Sequence, residues 1–422
     1  MNKPILTTTL ENARHIYLRK QNLVGKPAKA TAETVLSVVR GLCYVQWDPT
    51  DAVAPSHIIS LWNRLANFKL SDLDRLLWRD KKLFLYWTPA ASIVLTEDYP
   101  IYSALMRRHA EAVSDSKRPH WARVRKFVNE HKELRKKMLS ELKKKGPLQL
   151  TQFQDYVRTG RADGWTSGSD VSNMLDYLAK TGEVMVVGHD GLKNIWGLAE
   201  EFLPSSVDRT KLTDEEFEHE AAQRALQALG TASEREIYLY YPRDRYRNLN
   251  KTLEDLERNG KIHRVDVEGL GRKGEQYVHD KDLRLLESTD SEQSEPRIRL
   301  IAPFDNLLCD LARTRRLFDF EYIHENYLPA SKRKFGTFVH PLLWGDKLIG
   351  RVDLRMDREK EKLNVVSVHA EAGAPRSREV SSKIAETLEQ FGEFIGAKGV
   401  IYPALVPTTW AERASLTIRK NR

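Results

Sequence analysis

The run Gly182-Glu183-Val184-Met185-Val186-Val187, followed by His189-Asp190-Gly191 and then Asn194-Ile195-Trp196-Gly197-Leu198, decides how this chain is read. A glycine stands where a helix ending there needs a left-handed cap, two short β-prone runs follow, and a polar turn joins them. Working upstream, the pattern predicts a helix at Leu134–Lys144, a break at Gly146-Pro147-Leu148, a short helix at Phe153–Val157 and a third at Val171–Lys180. The same order is written a second time between Glu215 and Leu286. One helix closes at Leu229-Gly230, Thr231-Ala232-Ser233 introduces a short helix Glu234–Tyr240, and a longer helix closes at Asn259-Gly260. Lys261–Val267, a glycine-rich turn (Gly269, Gly271, Gly274) and Glu275–Val278 then supply the hairpin.

Three helices closed by a hairpin form a winged helix, which offers one helix to a DNA major groove and a loop to the flanking backbone. The same unit also serves as plain protein scaffold. Residues 1–116 read as a weaker third copy, with helices at Leu10–Gln21, Thr31–Leu42 and Ser56–Ala66. An extended Tyr44–Asp48 and paired strands Leu83–Trp87 and Ser92–Leu95 complete it. Ser288–Pro296 is polar and reads as a linker. Beyond it, Phe335–Trp344, Lys347–Met356 and Leu363–Val368 alternate as strands, with a turn at Gly345-Asp346 and another at Asp357–Lys362. A helix Arg378–Phe394 and a strand Gly399–Leu405 close the chain. The expectation is an α+β protein of three tandem winged-helix modules (1–116, 117–210, 211–287) followed by a β-rich domain over 288–422.

Composition bounds the rest. Of 422 residues, 41% are hydrophobic and 30% charged, enough apolar material for real cores and against wholesale disorder. With only Cys43 and Cys309, a disulfide framework and a cysteine-rich zinc site are excluded. No run approaches a membrane span and the first residues lack a signal-peptide core, so the expectation is a cytoplasmic, monomeric protein with no membrane partner, nucleoid-associated when it holds DNA. The formal charge of +9 is concentrated: Lys117–Lys145 holds twelve basic and three acidic residues, as much excess as the entire chain. Trp121, Val124, Val128, Leu134, Met138 and Leu142 recur through it at helical spacing. Basic flanks on an apolar stripe suit a polyanion, and Lys143, Lys144 and Lys145 are its densest cluster.

Chemistry centres on Tyr44-Val45-Gln46-Trp47-Asp48-Pro49. In an extended strand Gln46 and Asp48 share one face. The plainer reading has Asp48 capping the element that follows. Gln46-Trp47-Asp48 resembles the Gln-hydrophobic-Asp motif of the AlkZ/YcaQ-type winged-helix DNA glycosylases. Tyr86-Trp87 with Ala90-Ala91-Ser92, and Asp98-Tyr99-Pro100, are similar as well. More specific is the run Ala302-Pro303-Phe304-Asp305-Asn306-Leu307-Leu308, Arg313-Thr314-Arg315-Arg316-Leu317-Phe318-Asp319-Phe320, Tyr327-Leu328-Pro329-Ala330-Ser331-Lys332-Arg333 and Gly350-Arg351-Val352-Asp353. The similarity extends from about residue 10 to 405.

That resemblance implies a monofunctional glycosylase for N7-alkylated purines, with interstrand-crosslink unhooking a further possibility, and Gln46 and Asp48 as the catalytic pair. N7 alkylation makes the purine cationic, so its departure needs no general acid. A carboxylate can stabilise the oxocarbenium-like sugar and take the water's proton, while an amide holds the water. The reaction calls for no cofactor and no metal. Arg313, Arg315, Arg316, Lys332 and Arg333, with Lys334, are candidates for phosphate contacts in duplex DNA. The chain departs from the family pattern at Leu85 and Pro89, where an acid and a histidine are usual, and at Pro55-Ser56-His57, where Arg-Ser is common. These changes bear on the substrate. The alternatives are a non-catalytic DNA binder, acting as regulator or lesion sensor, and a nuclease built on Asp346, Asp353, Asp357 and Lys362. Turn-flanking acids account for that last set more simply.

Overall fold

The computed structural model describes residues 6–402 and 410, apart from 49, 89, 157–168, 192, 244, 271–274 and 288–295. The expected linker, the tip of the second hairpin, Pro89, the end of the 153–157 helix and the last part of the 399–405 strand therefore lie outside the described residues. Two compact units divide the chain: one of Met1–Phe68, Ala222–Asp244 and Asn248–Arg422, the other of Lys69–Ala221 with Arg245–Arg247. These divisions do not fall at the expected 116/117, 210/211 and 287/288. Residues 1–68 are built into the C-terminal half instead: Leu6–Thr9 pairs in parallel with Val265–Glu268, and Val53 and Ile59 enter the core of the C-terminal sheet.

In the unit around Lys69–Ala221, helix Lys132–Lys145 and helix Asp170–Lys180 are followed by an antiparallel hairpin, Val184–Asp190 with Lys193–Leu198. Leu148–Gln149 adds a third strand against Ile195–Trp196. In the other unit, Glu234–Tyr240 and Leu249–Arg258 precede the hairpin Ile262–Glu268 with Glu275–His279, and Thr231–Ala232 adds the extra strand. The glycines between helix and hairpin do the same work twice. Gly182 has φ +81° and donates to Ala179 O while Glu183 donates to Leu178 O; Gly260 has φ +66° and donates to Glu257 O while Lys261 donates to Leu256 O. Both are Schellman caps, a turn that favours a residue free to take positive φ.

The basic stretch forms two helices, Pro119–Glu130 and Lys132–Lys145. Val124, Leu134, Met138 and Leu142 are buried, so the apolar stripe is the packed face and most of the basic side chains are left at the surface. Leu83–Trp87 pairs with Ala91–Leu95 as expected, and Leu85 lies buried within that hairpin. No helix among the described residues is long and apolar enough to cross a membrane.

The C-terminal sheet runs in the order Ile298–Leu300, Val339–Trp344, Lys347–Asp357, Lys362–Ala370, Val400–Ile401, and helix Arg378–Phe394 packs Ile384, Leu388 and Phe391 into its core. The whole is α+β. Phe335 to Phe338 do not join the first long strand as expected. Glu325 accepts the N–H groups of Lys334, Phe335 and Gly336, and Asp353 those of Thr337 and Phe338, which bends this segment into a turn. Gly336, at φ +149°, leaves no room for a side chain: a Cβ would stand 2.2 Å from Asp353 Oδ2. The acids of the nuclease reading are likewise in separate service, Asp346 with Arg14, Asp353 on this turn and Asp357 accepting from Lys360 N–H.

Candidate active site

Asn306 positions the segment that carries the motif. Its amide donates to Tyr44 O at 3.0 Å and to Leu42 O at 3.4 Å, and the Tyr240 hydroxyl donates to Leu42 O at 2.9 Å. All of these groups are buried, so each backbone carbonyl is satisfied without water. One residue earlier, Asp305 receives both terminal nitrogens of Arg64 at 2.7 and 2.8 Å and the Ser60 hydroxyl at 2.7 Å. Burial pushes the Asp305 carboxyl upward, but the Arg64 guanidinium and the donated hydrogen bonds outweigh it and hold the group below its ordinary range. Pro303-Phe304-Asp305-Asn306 thereby ties helix Ser56–Arg64 and the 42–48 segment to one frame.

The motif itself differs from the extended expectation. The strand is only Val45–Gln46, and Trp47 and Asp48 lie beyond it. Asp48 Oδ1 accepts the Thr50 N–H at 3.2 Å and the Thr50 hydroxyl at 2.9 Å, a local turn that a short acid makes more readily than a ladder. Among the described residues no hydrogen bond reaches Oδ2. Trp47 stacks on His57, with ring centroids 4.2 Å apart, and His57 is buried rather than on the surface. Gln46 and Asp48 are both half-buried, so neither is sealed from solvent.

Asp48 lines a shallow cleft of about 260 Å³, open solvent included. Thr50, Ala52, Val53, Ala54 and Ser56 continue that wall, and Pro303, Phe304, Phe338 and His340 form the rest. Gln46 is not part of the lining. The loop after Asp48 is fixed to the long strand Lys347–Asp357, because Met356 N–H donates to Ala52 O at 3.0 Å and Arg358 pairs with Asp51 at 2.5 Å. The turn held by Glu325 and Asp353 presents Phe338. His340 is buried, and its Nδ1 lies 3.2 Å from Ile301 O, a contact that requires the proton on Nδ1. Burial lowers its pKa to about 4, against a small upward pull from that hydrogen bond, so the ring is neutral at pH 7.

The expected phosphate contacts divide sharply. Lys143, Lys144 and Lys145 are exposed at the C-terminal end of their helix, with Lys145 paired to Glu141 at 2.5 Å. Arg313 is a correction: it is buried, donates to Glu236 at 2.8 Å and to Leu229 O at 3.0 Å, and lies over the Tyr17 ring, out of reach of any phosphate. Arg316 also pairs with Glu236. Burial pushes that carboxyl up, yet the two arginines bring it down to about 2. Arg333 is spent on Glu325 O, Leu328 O and Thr337 Oγ1. Arg315 is exposed and pairs with Glu321, and Lys332 is exposed. Sequence reasoning did not single out Arg64 or His340, and it met Asn306 only as part of the run 302–308 with no role assigned, since no local pattern marks groups that act across more than 200 residues.

A family model described as DNA glycosylase AlkZ-like matches residues 39–394. Among solved structures the chain is similar to the Streptomyces sahachiroi DNA glycosylase AlkZ, with a TM-score of 0.65 and 17% sequence identity over 94% of this chain and 100% of that one. At that identity the likeness speaks for the fold.

Proposed function

Since the chain belongs to the AlkZ-like DNA glycosylase family, we propose that it hydrolyses the N-glycosidic bond of N7-alkylated purines in duplex DNA, with Asp48 and Gln46 as its catalytic pair. The observation that carries this reading is Asp48 itself: one carboxylate oxygen is held by Thr50, the other takes no hydrogen bond from the described residues, and the group borders an open cleft. An orientation fixed through Oδ1 lets Oδ2 face a sugar whose C1′ gains positive charge as the base departs. The leaving purine already carries the charge that a general acid would otherwise supply, so one carboxylate suffices to stabilise the cation and accept the water's proton. Gln46 offers both a donor and an acceptor to the deoxyribose beside it. Among the described residues no lysine lines the cleft, and the reaction proposed is monofunctional, leaving an abasic site. Exposed Lys143, Lys144 and Lys145 supply sequence-independent attraction to the duplex, which the protein binds as a monomer. The same cation-driven chemistry would release a purine tethered in an interstrand crosslink.

Release of free N7-methylguanine from alkylated duplex DNA without heating is the expected result. Asp48→Asn should lower it by about 10²–10⁴-fold, the usual worth of a positioned proton acceptor. Salt-sensitive binding with no free base, or an Asp48→Asn variant that excises as fast as its parent, would favour a non-catalytic binder instead.

A further inference from the structure

Taking that reading of Asp48 as its basis, we propose that Ser56 and His340 hold, together with Asp48, the water molecule that attacks C1′, so that the cleft between them is the nucleophile's own binding site.

The cleft is small, about 260 Å³ with open solvent included, and water can reach it. Three of its lining residues bring polar groups of complementary kind. Asp48 Oδ2 is an acceptor not used by the Thr50 turn. His340, on the strand Val339–Trp344, spends its one ring N–H on Ile301 O, which leaves Nε2 as an acceptor. Ser56, the first residue of helix Ser56–Arg64 and itself buried, brings a hydroxyl that can donate. A water giving one hydrogen to Asp48 and the other to His340, while accepting from Ser56, keeps one lone pair. That pair is the one that must point at the sugar. The rest of the wall includes the apolar side chains of Phe304, Phe338 and Val53.

Gln46, absent from this lining, is thereby freed for the sugar or the lesion. In the step itself the water oxygen bonds to C1′ as the bond from C1′ to the purine nitrogen breaks. The electron pair of that bond goes to the base and cancels its charge, and one water proton passes to Asp48. His340 stays neutral and keeps its hydrogen bond throughout.

The experiment uses the full chain, single-turnover excision at saturating N7-methylguanine DNA, and binding to the same duplex measured separately. Ser56→Ala and His340→Leu should each slow the chemical step by about tenfold or more with binding unchanged, whereas His340→Gln, whose amide oxygen can replace Nε2 as acceptor, should recover much of the rate. His340→Ala should also admit methanol, so that excision in aqueous methanol yields a methyl glycoside that the parent does not form; mass spectrometry of the sugar product reads this directly. If Ser56→Ala excises like the parent and the Leu and Gln variants of His340 are equal, the water site is wrong while the role of Asp48 stands. If Asp48→Asn is itself fully active, the glycosylase reading fails first. Should His340→Leu not fold, Ser56→Ala and the methanol product of His340→Ala decide the matter.

Discussion

Two groups of basic side chains, one in each unit, are used in opposite ways. In the unit that holds Asp48, the prominent arginines point inward: Arg64 with Asp305 and Arg313 with Glu236 are ion pairs with almost no exposed surface. In the other unit the basic helices leave Lys126, Lys136, Lys143 and Lys144 in water; Lys136 pairs with its helix neighbour Glu133 at 3.0 Å, and Arg135 reaches Glu183 beyond its own helix. The difference teaches that a cluster of basic residues says nothing about DNA until its helical face is known. Arg313, Thr314, Leu317 and Phe318 are the buried side of their helix, and Arg315 lies on the other. A buried cation costs several kcal/mol to desolvate and survives only when paired, so its contribution is to fix structure; an exposed lysine costs little and remains available to a polyanion.

The strongest way to break this contrast is to remove one partner of a buried pair. Arg64→Leu leaves Asp305 ionised in the interior and should destabilise the protein by about 3–5 kcal/mol. Denaturant unfolding of the variant reads this directly, and a loss below about 1 kcal/mol, the scale of an exposed pair, would erase the distinction drawn between the two units.

Acid should produce the next largest effect. His340 has its pKa lowered by burial to about 4 in the folded protein, against 6.5 unperturbed. Below pH 6.5 the unfolded chain takes up a proton that the native ring refuses until about pH 4. Stability therefore falls as pH drops through that window, by about 3 kcal/mol in all, and levels below it. Asp305, held below its ordinary range, loses its contribution only at lower pH. His109 in the other unit is lowered to about 3 by burial and by Lys180, Arg245 and His120, and acts in the same direction. Thermal unfolding between pH 7 and 4 should show a slope that His340→Gln reduces but does not abolish.

Much of the architecture was legible because it depends on local chemistry. Helix Arg378–Phe394 ends where its periodicity does, and the glycines at 182 and 260 announce the caps that turn each helix into its hairpin. The Asp48 turn was half-legible: a short acid two residues before Thr50 is a turn signal, and it prevailed over the alternation that made 44–48 look like a strand. The placement of residues 1–68 was hidden, since a four-residue strand such as Leu6–Thr9 carries no sign that its partner lies 259 residues away. So was His340. A single histidine in an apolar strand has no spacing to read, and only the fold brings it to the cleft that Asp48 also lines.

A gentler contrast comes from reversing Lys143, Lys144 and Lys145 to Glu. Because all three are exposed, folding stability should shift by no more than about 0.5 kcal/mol per site. Affinity for any duplex should fall, and the slope of log K against log salt should shrink by about 0.9 for each phosphate that is no longer neutralised. Titrations at several salt concentrations separate this from a folding defect, and unchanged affinity with an unchanged slope would mean that these lysines are merely solvated.

The finest test concerns the turn that aims Asp48. Thr50→Val removes the hydroxyl that donates to Oδ1 but keeps the backbone N–H bond at 3.2 Å and most of the side-chain volume. One neutral donor to a carboxylate is worth about 1 kcal/mol, and Thr50 is exposed, so water can replace part of it. The expected outcome is excision slowed by less than about tenfold, unaltered DNA affinity and unaltered unfolding. A loss as deep as that of Asp48→Asn would mean that Oδ1, not Oδ2, faces the sugar, because the group Thr50 holds would then be the group that reacts. No loss at all would leave the backbone N–H as the sole fixed point of the carboxylate.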